Sequence, residues 1–213
     1  MATTVKICGL STHATVAAAL DAGADMLGFV FFARSPRHIA PDVAARLAAP
    51  ARGRAQIVAL TVDADDDELA GIVASLAPDL IQLHGSETPQ RCAAIRARLG
   101  LPVMKALGVA EAGDLAAVPA YAAVCDRLLI DAKPPKESRL PGGNGVAFDW
   151  RLAEGLSPGV PWLLSGGLTT ENVAQALRLT RAPGVDVSSG VETAPGVKDA
   201  AKIAAFVAAA RRG

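Results

Sequence analysis

The chain has 213 residues, 51% hydrophobic, 20% charged and 4% aromatic, which excludes a disordered or collagen-like protein and fits a folded globular one. Its 21 Lys and Arg balance 21 Asp and Glu, so the basic footprint that nucleic acid or an anionic membrane demands is absent. No stretch reaches the roughly 18 uninterrupted apolar residues of a membrane helix. Lys6 lies inside the first apolar run, which is not the order of a signal peptide. Cys8, Cys92 and Cys125 have no metal-ligand spacing. The expectation is a cytoplasmic protein with reduced thiols and no metal.

In chain order, short aliphatic and β-branched runs predict strands at Thr4–Cys8, Asp25–Phe32, Gln56–Val62, Asp79–Leu83, Pro102–Leu107, Arg127–Asp131, Pro161–Ser165 and Gly184–Ser188. Ala-rich stretches between them have helical period. The clearest is the third, with Leu69, Ile72, Val73 and Leu76 at i, i+3, i+4, i+7 behind the acidic turn Asp65–Asp67. The fourth should open at Thr88-Pro89 and close at Gly100. The seventh should open at Thr169 or Thr170 with Val173, Ala176 and Leu177 on one face, and the last carries Ile203, Phe206 and Val207. Eight βα units fit this length at about 27 residues each. They predict an α/β fold, a closed (β/α)8 TIM barrel forming one domain over residues 1–213, with an open doubly wound sheet as the alternative.

Such barrels carry their chemistry at the C-terminal ends of the strands. Alternation along Val5-Lys6-Ile7-Cys8 turns Lys6 and Cys8 into the barrel and Val5 and Ile7 toward the helices. A thiol at a strand tip beside an ammonium suits a base or nucleophile, whereas a free cysteine is also a common buried core residue; spacing leaves both open. Asp131 ends an apolar strand, as a working acid, as a cap of the next turn or as a partner of Lys133. Strands 1 and 6 lie three places apart round a ring of eight, so Cys8 and Asp131 should face each other across the mouth. Glycine-rich turns at Pro141–Gly145, Ser165–Gly167 and Ser188–Gly190 suit an anion held by backbone N–H groups, and the loops after strands 7 and 8 are the usual phosphate site. Arg37 could grip a carboxylate or be an ordinary surface arginine. His84 lines the mouth, and Lys105 and Lys133 are candidates for a Schiff base or for charge balance.

Across nearly its whole length the chain resembles phosphoribosylanthranilate isomerases of tryptophan biosynthesis. The resemblance rests on Val5–Leu10, Phe31–Arg37, Ile81–Gly85, Leu129–Asp131, the Pro141–Gly145 loop with Phe148–Trp150, Ser165–Leu168 and Asp186–Glu192. It implies an Amadori rearrangement of N-(5-phosphoribosyl)anthranilate without metal or organic cofactor. In that scheme Asp131 is the general acid that opens the ring and Cys8, as thiolate, the base that removes the C2 proton. It further implies that Arg37 holds the anthranilate carboxylate and that the glycine turns, through Gly142, Gly143, Gly145, Gly166, Gly167, Ser189 and Gly190, grip the phosphate; His84 and Lys6, placed at the mouth by their strands, are expected to contact substrate beside them. A small phosphosugar is then the partner, met by a monomer or homodimer. The chemistry requires a depressed Cys8 pKa, for which Lys6 is the candidate cause, and a raised Asp131 pKa. Asn144, where the family often has Thr, and the polar Leu60–Asp63 strand end depart from the family pattern. A metal-dependent epimerase would need clustered ligands beyond the lone well-placed His84. A class-I aldolase would use Lys105 or Lys133, and a sister isomerase of histidine biosynthesis would use two aspartates. A non-catalytic phosphate-binding subunit would need neither Cys8 nor Asp131.

Overall fold

The apolar runs become eight strands in a computed structural model that describes residues 2–133, 142, 143, 145 and 147–213. They are β1 (Thr4–Cys8), β2 (Met26–Phe31), β3 (Gln56–Thr61), β4 (Leu80–Leu83), β5 (Val103–Val109), β6 (Arg127–Ala132), β7 (Trp162–Leu164) and β8 (Gly184–Val187). All neighbours pair in parallel and β8 returns to β1, so the barrel is closed and the open-sheet alternative falls away. Buried parallel strands read as continuous apolar runs, which is why every predicted strand is present with ends close to expectation. Met26, Val58, Leu80, Met104, Leu129 and Leu163 fill the interior. Val5, Ile7, Phe29, Ile57, Leu128 and Val185 face outward into the layer of helices.

Those helices are α1 (His13–Asp21), α2 (Pro41–Ala48), α3 (Asp66–Leu76), α4 (Pro89–Leu99), α5 (Val118–Ala122), α6 (Val173–Thr180) and α7 (Ala200–Arg212). The Asp65 carboxylate accepts the Asp67 and Glu68 N–H groups and starts α3. Thr88 caps α4, and Gly100, at φ +63°, ends it. Three departures from the expected pattern stand out. First, α6 begins at Val173 instead of Thr169 or Thr170, because Asn172 accepts the Thr169 N–H at 2.8 Å and donates to the Gly167 carbonyl at 2.9 Å, holding the chain in a turn. Second, among the described residues the unit after β6 carries a single 3-10 turn, Trp150–Ala153, where a helix was expected. Third, a hairpin of β9 (Glu192–Ala194) and β10 (Val197–Lys198) follows β8, turning at Pro195-Gly196. No helix among the described residues is long and apolar enough to cross a membrane.

The face of the barrel opposite the strand tips is tied by a recurring aspartate. Asp25, Asp79 and Asp126 precede β2, β4 and β6, and each accepts the first N–H groups of the preceding strand: Val5 at 2.7 Å, Ile57 at 2.7 Å and Val103 at 2.9 Å. Asp126 also takes both arms of Arg96 from α4 at 2.8 and 2.9 Å. Replacing Asp126 with alanine orphans the Val103 N–H and should cost about 1–3 kcal/mol, since a charge-assisted bond is lost. In thermal unfolding that corresponds to a Tm drop of roughly 2–4 °C per kcal/mol for a chain of this size. A Tm unchanged within about 1 °C would show that the aspartate contributes no stability.

Candidate active site

A concave cleft lined by both polar and apolar groups opens at the C-terminal ends of the strands, as small-molecule sites do. Its walls include Cys8, Arg37, His84, Asp131, Gly142, Gly143, Gly145, Gly166, Gly167, Ser189 and Gly190. Eleven of the twelve residues singled out in the sequence therefore converge on one cavity. Pro141 and Asn144 of the same loop lie outside the described residues.

Lys6 is the exception. It is 0% exposed, one turn of the pleat below Cys8, with its ammonium 2.7 Å from the Asp186 carboxylate of β8. Lys6 is thus a buried charge beneath the floor and is not among the residues that line the cleft; the reach expected of a long side chain is absorbed by its partner. Gly28 of β2 stands opposite Cys8 in register, and a Cβ there would lie 3.0 Å from the Cys8 sulfur and 3.1 Å from the Lys6 nitrogen. The missing side chain lets thiol and ammonium share one space. Alternation in β1 predicted the Lys6–Cys8 pair, but nothing local to Gly28 announced this role.

Cys8 is 4% exposed, and burial pushes its thiol pKa up, against the opposing pull of Lys6 and Lys198. The direction is opposite to the depression expected from the sequence. Asp186 cancels much of the Lys6 charge, and its own negative charge pushes in the same direction as burial. For Lys6 itself, burial disfavours the ammonium, but Asp186 and Cys8 outweigh it and the pKa ends raised.

Asp131 is buried at the tip of β6. One oxygen accepts the Ala132 N–H at 2.8 Å, and the other lies 3.2 Å from His84 Nε2. The Gln82 amide nitrogen sits 3.0 Å from His84 Nδ1, so with that amide as donor the Nε2–H of His84 points at Asp131. His84, expected to touch substrate, meets the candidate acid. Lys133 pairs with Asp114 at 2.8 Å instead of Asp131. Lys105 points away from the cleft, bound to Glu87 at 2.9 Å and to the Leu83 and Gly85 carbonyls.

Arg37 is buried on the loop between β2 and α2. Its Nε and one terminal nitrogen donate to the two oxygens of Glu192 at 2.7 and 2.8 Å, and that terminal nitrogen also donates to the Gly143 carbonyl at 3.2 Å. Opposite, Gly166 (φ +86°) and Gly167 (φ +64°) adopt left-handed backbone that other residues rarely take. A Cβ on either would fall 2.6 Å from the backbone nitrogen of Ala132 or Ala147. The Gly166 and Gly167 N–H groups have no acceptor among the described residues. A short 3-10 turn, Ser189–Val191, adds a third set of amides beside them.

A closed (β/α)8 barrel with a thiol, a carboxyl, an arginine and glycine-rich turns around one strand-tip cleft defines a phosphosugar-handling barrel enzyme. The family model described as N-(5'phosphoribosyl)anthranilate (PRA) isomerase matches residues 5–209. The N-(5'-phosphoribosyl)anthranilate isomerase of Nitrobacter hamburgensis is 62% identical over 99% of this chain and 94% of its own. A crystal structure of phosphoribosyl anthranilate isomerase from Thermotoga maritima superposes with a TM-score of 0.88 at 32% identity, covering 99% of this chain and 100% of the other. Another, of the same kind of enzyme in complex with reduced 1-(o-carboxyphenylamino)-1-deoxyribulose 5-phosphate, gives 0.84 at 31% identity with the same coverage. The chain belongs to the N-(5'-phosphoribosyl)anthranilate isomerase family.

Proposed function

We propose that this protein works as its family does, with Asp131 as general acid and Cys8 as general base on the two sides of one bound phosphosugar. The reaction is the Amadori rearrangement of N-(5'-phosphoribosyl)anthranilate to 1-(2-carboxyphenylamino)-1-deoxyribulose 5-phosphate, a step of tryptophan biosynthesis. The observation that carries this reading is the presence of both groups in the same cleft, flanked by Arg37 and by the glycine turns.

Asp131 gives its proton to the furanose ring oxygen while the nitrogen lone pair expels that oxygen from C1, leaving an iminium. Cys8, as thiolate, removes the C2 proton. The freed electron pair becomes the C1–C2 double bond, neutralises the nitrogen and yields an enolamine. Loss of the O2 proton and protonation at C1 then give the ketone. His84 steadies the Asp131 carboxyl through its 3.2 Å contact rather than gripping substrate. The Gly166, Gly167, Ser189 and Gly190 turns receive the phosphate, with Gly145 beside Ser189, and Gly142 and Gly143 against His84 and Arg37. Arg37 turns its remaining terminal nitrogen toward the anthranilate carboxylate. We assign the protein to the cytoplasm, whose reducing conditions suit three buried free thiols.

Replacing Arg37 with alanine should raise KM by about 10–100-fold with kcat within a few-fold, because a charged hydrogen bond present in ground and transition states alike is removed. Steady-state kinetics with substrate and with a phosphoribosyl-aniline analogue lacking the carboxylate check this. Wild type and variant should differ only on the true substrate, and equal losses on both would remove Arg37 from the carboxylate.

A further inference from the structure

The Glu192 carboxylate accepts four donors: Arg37 Nε at 2.7 Å, the Arg37 terminal nitrogen at 2.8 Å, Lys198 Nζ at 2.6 Å and the Gly196 N–H at 3.2 Å. Four is about the capacity of a carboxylate. Lys198, in turn, uses its three protons on Glu192, on the Ser188 carbonyl at 3.0 Å and on the Ser188 hydroxyl at 3.1 Å. The Ser188 hydroxyl donates onward to the Cys8 carbonyl at 3.1 Å. Arg37, Glu192 and Lys198 are 5%, 8% and 8% exposed, so this is a buried network in which each group has one satisfied arrangement.

Of the five N–H groups of Arg37, one on Nε and two on one terminal nitrogen go to Glu192 and the Gly143 carbonyl. The other terminal nitrogen has no acceptor among the described residues, and it sits where a Cβ on Gly143 would come within 2.7 Å of it. Glu192 therefore decides which edge of the guanidinium is left for the cleft. Lys198 supplies the second positive charge that keeps Glu192 ionised: burial works against the carboxylate, but Arg37 and Lys198 together hold its pKa below the ordinary value. Both residues sit on the β9–β10 hairpin, whose turn at Gly196 packs against the Pro36 carbonyl next to Arg37.

From this geometry we infer that Glu192 and Lys198 are positioning residues for substrate selection: the hairpin holds Arg37 with one edge turned to a carboxylate-bearing aglycone. This rests on the reading of Arg37 as the carboxylate clamp. Neither residue touches the reacting atoms. The hairpin makes preference for an anionic aromatic amine over a neutral one a property of the β9–β10 segment as well as of Arg37.

The test compares kcat/KM for the phosphoribosyl conjugates of anthranilate and of aniline in wild type, Arg37→Ala, Glu192→Gln and the double variant. Glu192→Gln keeps the size of the side chain and removes the charge. It should reduce the preference for the anthranilate conjugate by about tenfold or more, chiefly through KM, as loss of one partner in a buried charged pair does. In the Arg37→Ala background it should reduce that preference no further. If Arg37→Ala abolishes the preference while Glu192→Gln retains it, the hairpin has no such role and the inference is overturned with Arg37 still the clamp. If Arg37→Ala itself retains the preference, the clamp reading fails and the inference falls with it. Should Glu192→Gln not fold, Lys198→Met answers the same question, with loss of preference in support and its retention against.

Discussion

Replacing Cys8 with alanine is expected to lower kcat by about 10²–10⁴-fold while leaving KM within a few-fold, the signature of losing a group that acts only on the reacting proton. The thiol lines the cleft and is assigned only to the reacting proton, so binding should survive its removal. The pH profile supplies a second reading. Burial raises the thiol pKa, so at neutral pH the base form is the minor one and activity should rise as pH approaches that raised value. The sign is that of any base: protonation at low pH removes activity, and the higher the pKa, the further the limb lies to alkaline pH. This limb should disappear in Cys8→Ala. Turnover near wild type in the alanine variant, with the limb intact, would place the base elsewhere.

The second large effect is expected at Asp131. Asp131→Asn keeps the shape and can still receive the Ala132 N–H on its remaining oxygen, and its amide nitrogen can donate to His84 Nε2 once the ring changes tautomer and the Gln82 amide turns its oxygen to Nδ1, so the site should stay assembled. The amide has no acidic proton to give to the ring oxygen, and kcat should fall by about 10²–10⁴-fold. Unchanged thermal stability together with that loss would separate chemistry from folding. Retention of kcat within about fivefold would show that another acid opens the ring.

Much of this was readable from single segments. Strands buried on both faces appear as uninterrupted apolar runs, and alternation along Val5–Cys8 put Lys6 and Cys8 on the inner face. Glycine at left-handed positions flagged the turns after β7. What escaped were contacts between groups far apart in the chain. Lys6 meets Asp186 across 180 residues and Arg37 meets Glu192 across 155, so local spacing carries no trace of either pairing. Without the Asp186 partner, Lys6 read as a substrate contact and as a force strong enough to depress the Cys8 pKa; with it, burial prevails. The β9–β10 hairpin did leave a local signal in Pro195-Gly196, a turn dipeptide between short polar and β-branched runs. Its lysine could be tied to the site only once the fold closed β8 onto β1 and brought Ser188 beside Cys8.

Turnover of freshly generated N-(5'-phosphoribosyl)anthranilate, followed by loss of its anthranilate fluorescence, should be measured with wild type beside Cys8→Ala and Asp131→Asn. Wild type should lose the signal rapidly, and the rate should collapse in both variants. A folded wild type that leaves the signal unchanged would contradict the proposed reaction, and variants as fast as wild type would contradict the assigned acid and base.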